Sequence, residues 1–548
     1  MSWLKNLAET YEACQTAVGA GGDEQDKMLL PIGHILKQSD VAVYLSGDGS
    51  FVRTDKSSAK IFIPCTDESE SRTSGAKEAP HPLFDQLKHL EGKKYLENLS
   101  KWRDFLGQSS DYPIAFKIIS AVYHYLEGGT LKDDLEANKI KPENNLFIRF
   151  CVDIYDYPEN RLWKIPELWQ AWSDYLLKIV CERPNRDLCY ITGKSGMPFT
   201  NKHPKSINRA AGNAKLITGN DNKNFTFRGR FDKPAEAVTV SYEESQKVHQ
   251  ALRWLIETNS YRCDTQAIIA WAIDERPKLP AFYDDSEGLY ESLIQDDQKS
   301  AQERKTDPGS IVYADYSALL KKVLLGYSKG EDLKSHRRRI AVLATDNATT
   351  GRLSVTFYRE LAENEYLENI VNWHETCRWF QPHQAAEKGQ YKPGYFIGAP
   401  SFDRIVEAVL GKRRSLSDQS YDKIKKAIRE RLLHNLFNSE PISFDMVKAS
   451  VTHASNPLAL ENTGAKNRFS RWRDWEQVLC TSCALVKKYY YEYEREDIEV
   501  TLEVHRRDRD YLYGRLLAVA DKIESSARYK QGVDKESARG LKRGLQRP

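Results

Sequence analysis

Val41-Ala-Val-Tyr-Leu45, then Ser46-Gly-Asp-Gly-Ser50, then Phe51-Val-Arg-Thr54 is the stretch on which the fold class turns. Two runs rich in β-branched and aromatic residues flank Gly47-Asp48-Gly49, and glycine supplies the positive φ that a tight hairpin turn requires. Ile61-Phe-Ile-Pro64 reads as a third strand. Upstream, apolar periodicity over 3–18 predicts a helix, and 83–177 is mostly helical with Trp and Tyr at helix spacing. Between 188 and 240 the pattern breaks into short β-like pieces interrupted by Gly, Asn, Pro and Thr. A helix over 242–258 started by Ser241, a buried strand over 268–273, and a strand pair over 340–344 and 353–358 follow.

From Ser401 onward three helical stripes stand out: Ile424, Ile428, Leu432 and Leu436; Trp472, Trp475, Leu479, Cys483, Val486, Tyr490 and Tyr493; and Leu512, Leu516, Val519 and Ile523. The expectation is an α+β protein. Residues 1–400 form a mixed region of short antiparallel strands and helices, and 401–548 form an all-α helical bundle. Two segments fall outside this scheme. Residues 283–307 hold eight acids against three bases and read as a solvated acidic loop, and 526–548 read as a basic tail.

Composition narrows the class. The 548 residues carry 81 Lys+Arg and 78 Asp+Glu, a formal net charge of +3, with 40% hydrophobic residues. That hydrophobic share excludes a wholly disordered chain, and no apolar run approaches the ~20 residues of a membrane span. The first residues lack the pattern of a signal peptide, so a cytoplasmic protein is expected. Nine scattered cysteines fit a reducing compartment better than a disulfide framework. The pair Cys480-Thr-Ser-Cys483 has no second ligand pair nearby and lies on the second helical stripe, so core packing explains it better than zinc.

Enzyme motifs fail on context. Gly193-Lys-Ser195 imitates the end of a phosphate-binding loop, but Leu188 stands where its first glycine belongs. His374-Glu-Thr-Cys377 lacks the second histidine of a zinc protease helix. The expectation is a protein that is not an enzyme and takes no cofactor.

Charge segregation is more informative. Residues 186–230 hold nine bases against two acids, interleaved with Asn and Gly, while the rest of the chain is net negative. Lys and Arg neutralise phosphates, Gly and Asn admit close backbone approach, and Asn also reads base edges. The competing reading is a solvated basic loop.

Several segments together are similar to the large subunit of the type I-C CRISPR-associated Cascade complex. They are Arg72-Thr-Ser-Gly-Ala-Lys77, Cys189-Tyr-Ile-Thr-Gly193, His203-Pro-Lys205, Gly212-Asn-Ala-Lys-Leu-Ile-Thr-Gly-Asn220 and Phe225-Thr-Phe-Arg-Gly229. Asp346-Asn-Ala-Thr-Thr-Gly-Arg-Leu-Ser-Val-Thr-Phe-Tyr358, Ala454-Ser-Asn-Pro-Leu458 and Tyr511-Leu-Tyr-Gly-Arg-Leu-Leu-Ala-Val519 continue the likeness. The resemblance implies a subunit of an RNA-guided complex that recognises the protospacer-adjacent motif in double-stranded target DNA and helps open the strands. It implies as partners the guide RNA 5′ handle, the Cascade backbone, handle-binding and small subunits, and a helicase-nuclease effector, with no membrane involved.

On that reading the DNA-binding candidates are Arg72, Thr73, Ser74, Gly75, Lys77, Lys194, Lys202, Lys205, Arg209, Asn220, Asn222, Lys223, Arg228 and Arg230. Lys77, Asn220 and Asn222 are assigned to base edges or groove floor; Lys202, Lys205, Lys223, Arg228 and Arg230 to phosphates; Ser74 and Gly75 to a close backbone approach. Lys412, Arg413, Arg414, Lys425, Lys426 and Arg429 are candidates for the displaced strand, with a solvated helix face as the plainer reading. The alternative function is a guide-RNA scaffold or processing protein indifferent to the DNA motif.

Overall fold

The structure is a computed structural model that describes residues 2–20, 27–72, 79–155, 157–218, 231, 234–274, 279–298, 314–330, 338–349, 351–383, 394–411, 418–456 and 468–530. The fold is α+β, and it divides into two compact units. Unit one comprises Met1–Leu279 with Arg338–Glu360, and unit two comprises Pro280–Arg337 with Leu361–Pro548. The boundary expected at residue 400 falls inside unit two.

Unit one is built on two four-stranded sheets. Strands β1 (His34–Ser39), β2 (Val41–Ser46), β3 (Phe51–Asp55) and β4 (Ala59–Pro64) come first, followed by β5 (Asp85–Gln86) and β6 (Phe147–Asp153). The first sheet has the order β3-β2-β6-β5, with β2 antiparallel to β3 and parallel to β6. Val41, Ala42, Val43 and Leu45 are all fully buried, the continuous apolar run of a strand covered on both faces. The turn of the opening stretch forms as expected. Gly49 has φ +92°, and the Asp48 carboxylate accepts hydrogen bonds from Ser46 Oγ (2.5 Å) and the Ser50 N–H (2.9 Å). The helices Lys93–Gly107, Pro113–Glu127 and Pro166–Cys181 contribute to the core over this sheet, where the Trp102 and Trp172 rings meet edge to face at 5.0 Å. β1 pairs separately with β4, Lys37 opposite Ile61.

Next along the chain come two short strands that pair with each other, β7 (Arg186–Asp187) and β8 (Met197–Pro198). The second sheet follows with β9 (Tyr261–Cys263), β10 (Gln266–Ala272), β11 (Arg339–Thr349) and β12 (Arg352–Ala362), in the order β12-β11-β10-β9. The helices Ser2–Ala13 and Tyr242–Asn259 share its core, and the Trp271 indole N–H donates to Thr10 Oγ1 at 2.9 Å. Tyr242–Asn259 is buried around most of its circumference, polar residues included. Its Lys247 ammonium is surrounded by Glu12, Glu243 and Glu244 at 2.8, 2.8 and 3.3 Å, so the buried charge is matched.

Unit two is helical around a small antiparallel pair, β13 (Trp379–Pro382) and β14 (Tyr395–Gly398). The acidic segment is not a solvated loop: Ser286–Gln298 is a helix, and Asp285, Ser286 and Glu287 at its start are buried. Asp285 lies 3.7 Å from Arg404 and caps the Gly288 N–H, and Glu287 lies 2.8 Å from His383. Those partners lie far along the sequence, which is why local composition misreads the segment. Residues 299–307 and 531–548 lie outside the described residues; 526–530 of the expected tail continue the helix Arg509–Lys530.

The long helix Arg468–Tyr493 exists, but its most buried positions are Thr481, Ala484, Leu485 and Lys488, offset from the expected stripe. The Lys488 ammonium is held by Glu492 (2.9 Å) and Thr376 Oγ1 (3.0 Å) and lies over the Trp373 ring. The buried face could turn toward Lys488 because that ammonium is fully partnered. Leu512, Leu516, Val519 and Ile523 are exposed instead of buried in a bundle.

Candidate nucleic-acid interface

The two loops singled out by sequence are both carried by unit one. The first is anchored by Arg72, whose guanidinium makes a bidentate pair with the fully buried Asp85 (2.8 and 2.8 Å) and donates to the Ala79 carbonyl (3.1 Å). Asp85 also accepts from the His81 and Gln86 N–H groups at 2.7 Å each. These contacts hold its carboxyl below the usual range although burial opposes them. Arg72 thus staples the two ends of the loop together, and its charge is spent inside the protein. Thr73, Ser74, Gly75 and Lys77 lie outside the described residues.

The second loop starts with a knuckle. The Cys189 N–H donates to the Lys194 carbonyl (2.9 Å) and the Gly193 N–H to the Cys189 carbonyl (2.7 Å), with Gly193 at φ +72°. Lys194 is displayed on its exposed tip. Further on, Arg183 and Thr200 converge on Asp67, which fixes the backbone that carries Lys202. Lys202 is exposed, 3.7 Å from Glu68. Lys205 bridges to Lys215, and Lys215 in turn hydrogen-bonds through its backbone to Gly351 and Leu353 at the start of β12. Asn208 is buried, caps the Ala210 N–H and donates to the Thr265 carbonyl, so it holds the turn that presents Arg209. Arg209 is exposed and lies 3.6 Å from Glu257. Asn220, Asn222, Lys223, Arg228 and Arg230 lie outside the described residues.

These placements gather positive charge from distant parts of the chain. The Lys37 ammonium is pushed down first by burial and then by Lys205 and Arg72. Lys215 is pushed down first by burial, with Lys205 and Lys202 adding to it against the pull of Glu70. Lys205 therefore repels both Lys37 and Lys215, and Lys202 repels Lys215, a field that an anion relieves. Sequence reasoning missed Lys37 entirely and gave Lys215 no role. The signal for Lys37 was faint: a lysine inside the apolar pattern of a strand.

The displaced-strand candidates fare unevenly. Arg429 is a correction: it is buried and ion-paired with Asp403, because its position on the helix Asp418–Phe437 turns it inward one residue from the buried Ile428. Lys425 lies over the Tyr421 ring at 5.4 Å, and Lys426 is half-buried. Lys412, Arg413 and Arg414 lie outside the described residues.

Among the described residues, no group of three or more His, Cys, Asp or Glu could hold a metal ion, and no helix is long and apolar enough to cross a membrane. Cys480 and Cys483 sit in the helix Arg468–Tyr493, where burial pushes their thiols up to about 12 and about 11.

A comparison with curated proteins finds no match. The family described as CRISPR-associated protein (Cas_Csd1) matches residues 7–539, nearly the whole chain. The chain belongs to that family.

Proposed function

From membership of this CRISPR-associated family, we propose that the chain is the non-catalytic large subunit of a type I-C Cascade complex. The complex is guided by RNA and works in antiviral defence. In it the chain recognises the protospacer-adjacent motif in duplex DNA, aids strand opening and stabilises the resulting R-loop. Its partners on this reading are target DNA, the guide RNA 5′ handle, the backbone, handle-binding and small subunits, and the helicase-nuclease it helps recruit.

The observation that carries the DNA reading is the crowding of positive charge in unit one, where Lys205 bears on both Lys37 and Lys215, Lys202 bears on Lys215, and Arg72 bears on Lys37. Guide pairing supplies target specificity, so the protein requires only a short duplex-reading patch with phosphate contacts around it. A chain with a net charge of only +3 and a local cluster of lysines meets that requirement.

The test is a gel shift of the reconstituted complex against targets that differ only in the adjacent motif, repeated over a range of salt. Preference for one motif is expected. Lys202→Ala with Lys205→Ala should weaken binding to all targets and flatten the salt dependence by about 0.9 in log–log slope per lost phosphate contact. Equal affinity for all motifs would refute motif reading, and an unchanged slope would remove these two lysines from the phosphate contacts.

A further inference from the structure

We propose that the exposed apolar stripe of the helix Arg509–Lys530, in unit two, docks an amphipathic helix of a partner protein that carries Glu or Asp beside its own apolar seam. The root of Arg509–Lys530 is fixed inside the protein. The Asp508 carboxylate accepts from the Tyr511 N–H at 2.9 Å, and the Asp508 carbonyl from the Leu512 N–H at 3.1 Å. Arg506, just before it, is held by Glu496 (2.7 Å), Glu503 (3.6 Å) and Asp508, and lies over the Tyr511 ring at 5.3 Å. From this capped start the helix runs for 22 residues, about 33 Å.

Beyond the root, apolar side chains face outward. Leu512, Leu516, Val519 and Ile523 follow one another at steps of four, three and four residues and are between 39% and 65% exposed. Tyr513 and Leu517 are exposed too and widen the stripe. None of the helix's described residues is buried, whereas the helix Asp418–Phe437 of the same unit buries Ile428, Leu432, Leu433 and Leu436. A contiguous apolar patch of this kind marks an interaction surface. The alternating steps of four and three are the seam that a second helix fills, knobs into holes.

Charge selects the occupant. Arg515 and Lys522, seven residues apart, each directly precede a stripe residue and so line one long edge of the seam. Neither is ion-paired among the described residues, in contrast to Arg506 and Arg509, which have carboxylate partners. Asp510 and Glu524 lie on the other side of the stripe. The opposite edge of the seam holds Tyr513 and Ala520, which carry no charge. In a parallel pair of copies of this helix Arg515 would face Ala520, and in an antiparallel pair the two basic edges would face each other. Self-pairing therefore gains no ion pair or meets repulsion, while a partner helix with acids beside its seam satisfies both bases.

This surface stands whether or not the chain reads a DNA motif, because every residue in the argument belongs to the helix and its root. The experiment is fluorescence anisotropy of two labelled peptides, each about three heptads long with Leu and Ile along the seam, titrated with the purified full chain. One peptide carries Glu at both flanks and the other Lys. The Glu-flanked peptide should bind with a Kd of about 10 μM or tighter, and the Lys-flanked one at least about tenfold more weakly. Arg515→Glu with Lys522→Glu should reverse that preference, and Leu516→Asp with Ile523→Asp should abolish binding. Both double variants should keep the wild-type melting temperature, since all four side chains lie outside the core. Absence of Glu-peptide binding at about 100 μM chain would overturn the proposal. So would equal binding of the two peptides, or an unchanged preference in the charge-reversed variant. Self-association of the chain that Leu516→Asp dissolves, seen by sedimentation, would assign the face to a second copy and overturn it as well.

Discussion

Replacing Glu70 by Gln should change how stability depends on pH. Glu70 is 7% exposed, at the end of the short helix Asp67–Glu70. Burial raises its carboxyl from 4.5 to about 7, against the Lys205 N–H, the Gln246 side chain and the charges of Lys215 and Lys205, which all pull it down. At about 1.4 kcal/mol per tenfold change in proton affinity, that displacement is worth about 3 kcal/mol.

The fold binds the proton more tightly than the unfolded chain does. Glu70 therefore contributes its full stability below about pH 4.5, and loses it as pH rises through about 7. Gln keeps an acceptor for the Lys205 N–H and does not titrate. The stability of Glu70→Gln relative to wild type should thus rise by about 3 kcal/mol between pH 4.5 and 8. His34, His81, His203 and His249 are all depressed by burial and lose stability in the opposite direction, as pH falls; both proteins share them, so the difference isolates Glu70.

Unit one spans about 300 residues, for which 3 kcal/mol corresponds to about 5 °C in melting temperature. The assay is scanning calorimetry across pH, resolving the transition of unit one from that of unit two because the chain need not unfold in one step. Parallel melting curves for wild type and variant over this range would refute the reasoning.

Three further outcomes are expected. Arg72→Ala leaves Asp85 buried without its partner and should cost about 3–5 kcal/mol, measured by thermal denaturation; adding Asp85→Asn should recover part of it, and a loss of DNA binding with unchanged stability would contradict the anchoring role. Gly49→Ala should destabilise by about 1–3 kcal/mol in a denaturant titration, because the residue has φ +92° and a Cβ would stand 2.7 Å from the Ala121 carbonyl oxygen. Thiol labelling followed by mass spectrometry should modify the exposed Cys181 first, and Cys65, Cys151 and Cys480 only after unfolding, since burial both shields those three and raises their thiols.

Local signals carried much of the fold. The 41–54 hairpin, the Ser241-capped helix and the strands β10 to β12 follow from turn chemistry, capping and hydrophobic periodicity, all of which act over a few residues. The basic character of 186–230 is likewise a property of composition. What the sequence could not settle depends on partners far away in the chain. Asp285 and Glu287 look like solvated acids until Arg404 and His383 are placed beside them. Arg72 looks like a phosphate ligand until Asp85 claims its guanidinium.

By itself, then, the sequence determined the α+β class, the positive loops and the family likeness, because periodicity, charge and motif order are written along the chain. Only the tertiary structure decided which charges remain for a ligand. Long-range pairing consumes Arg72 and Arg429 and leaves Lys37, Lys205 and Lys215 crowded together. A buried charge must find a partner, and in a folded chain that partner is set by proximity in space, which no local pattern encodes.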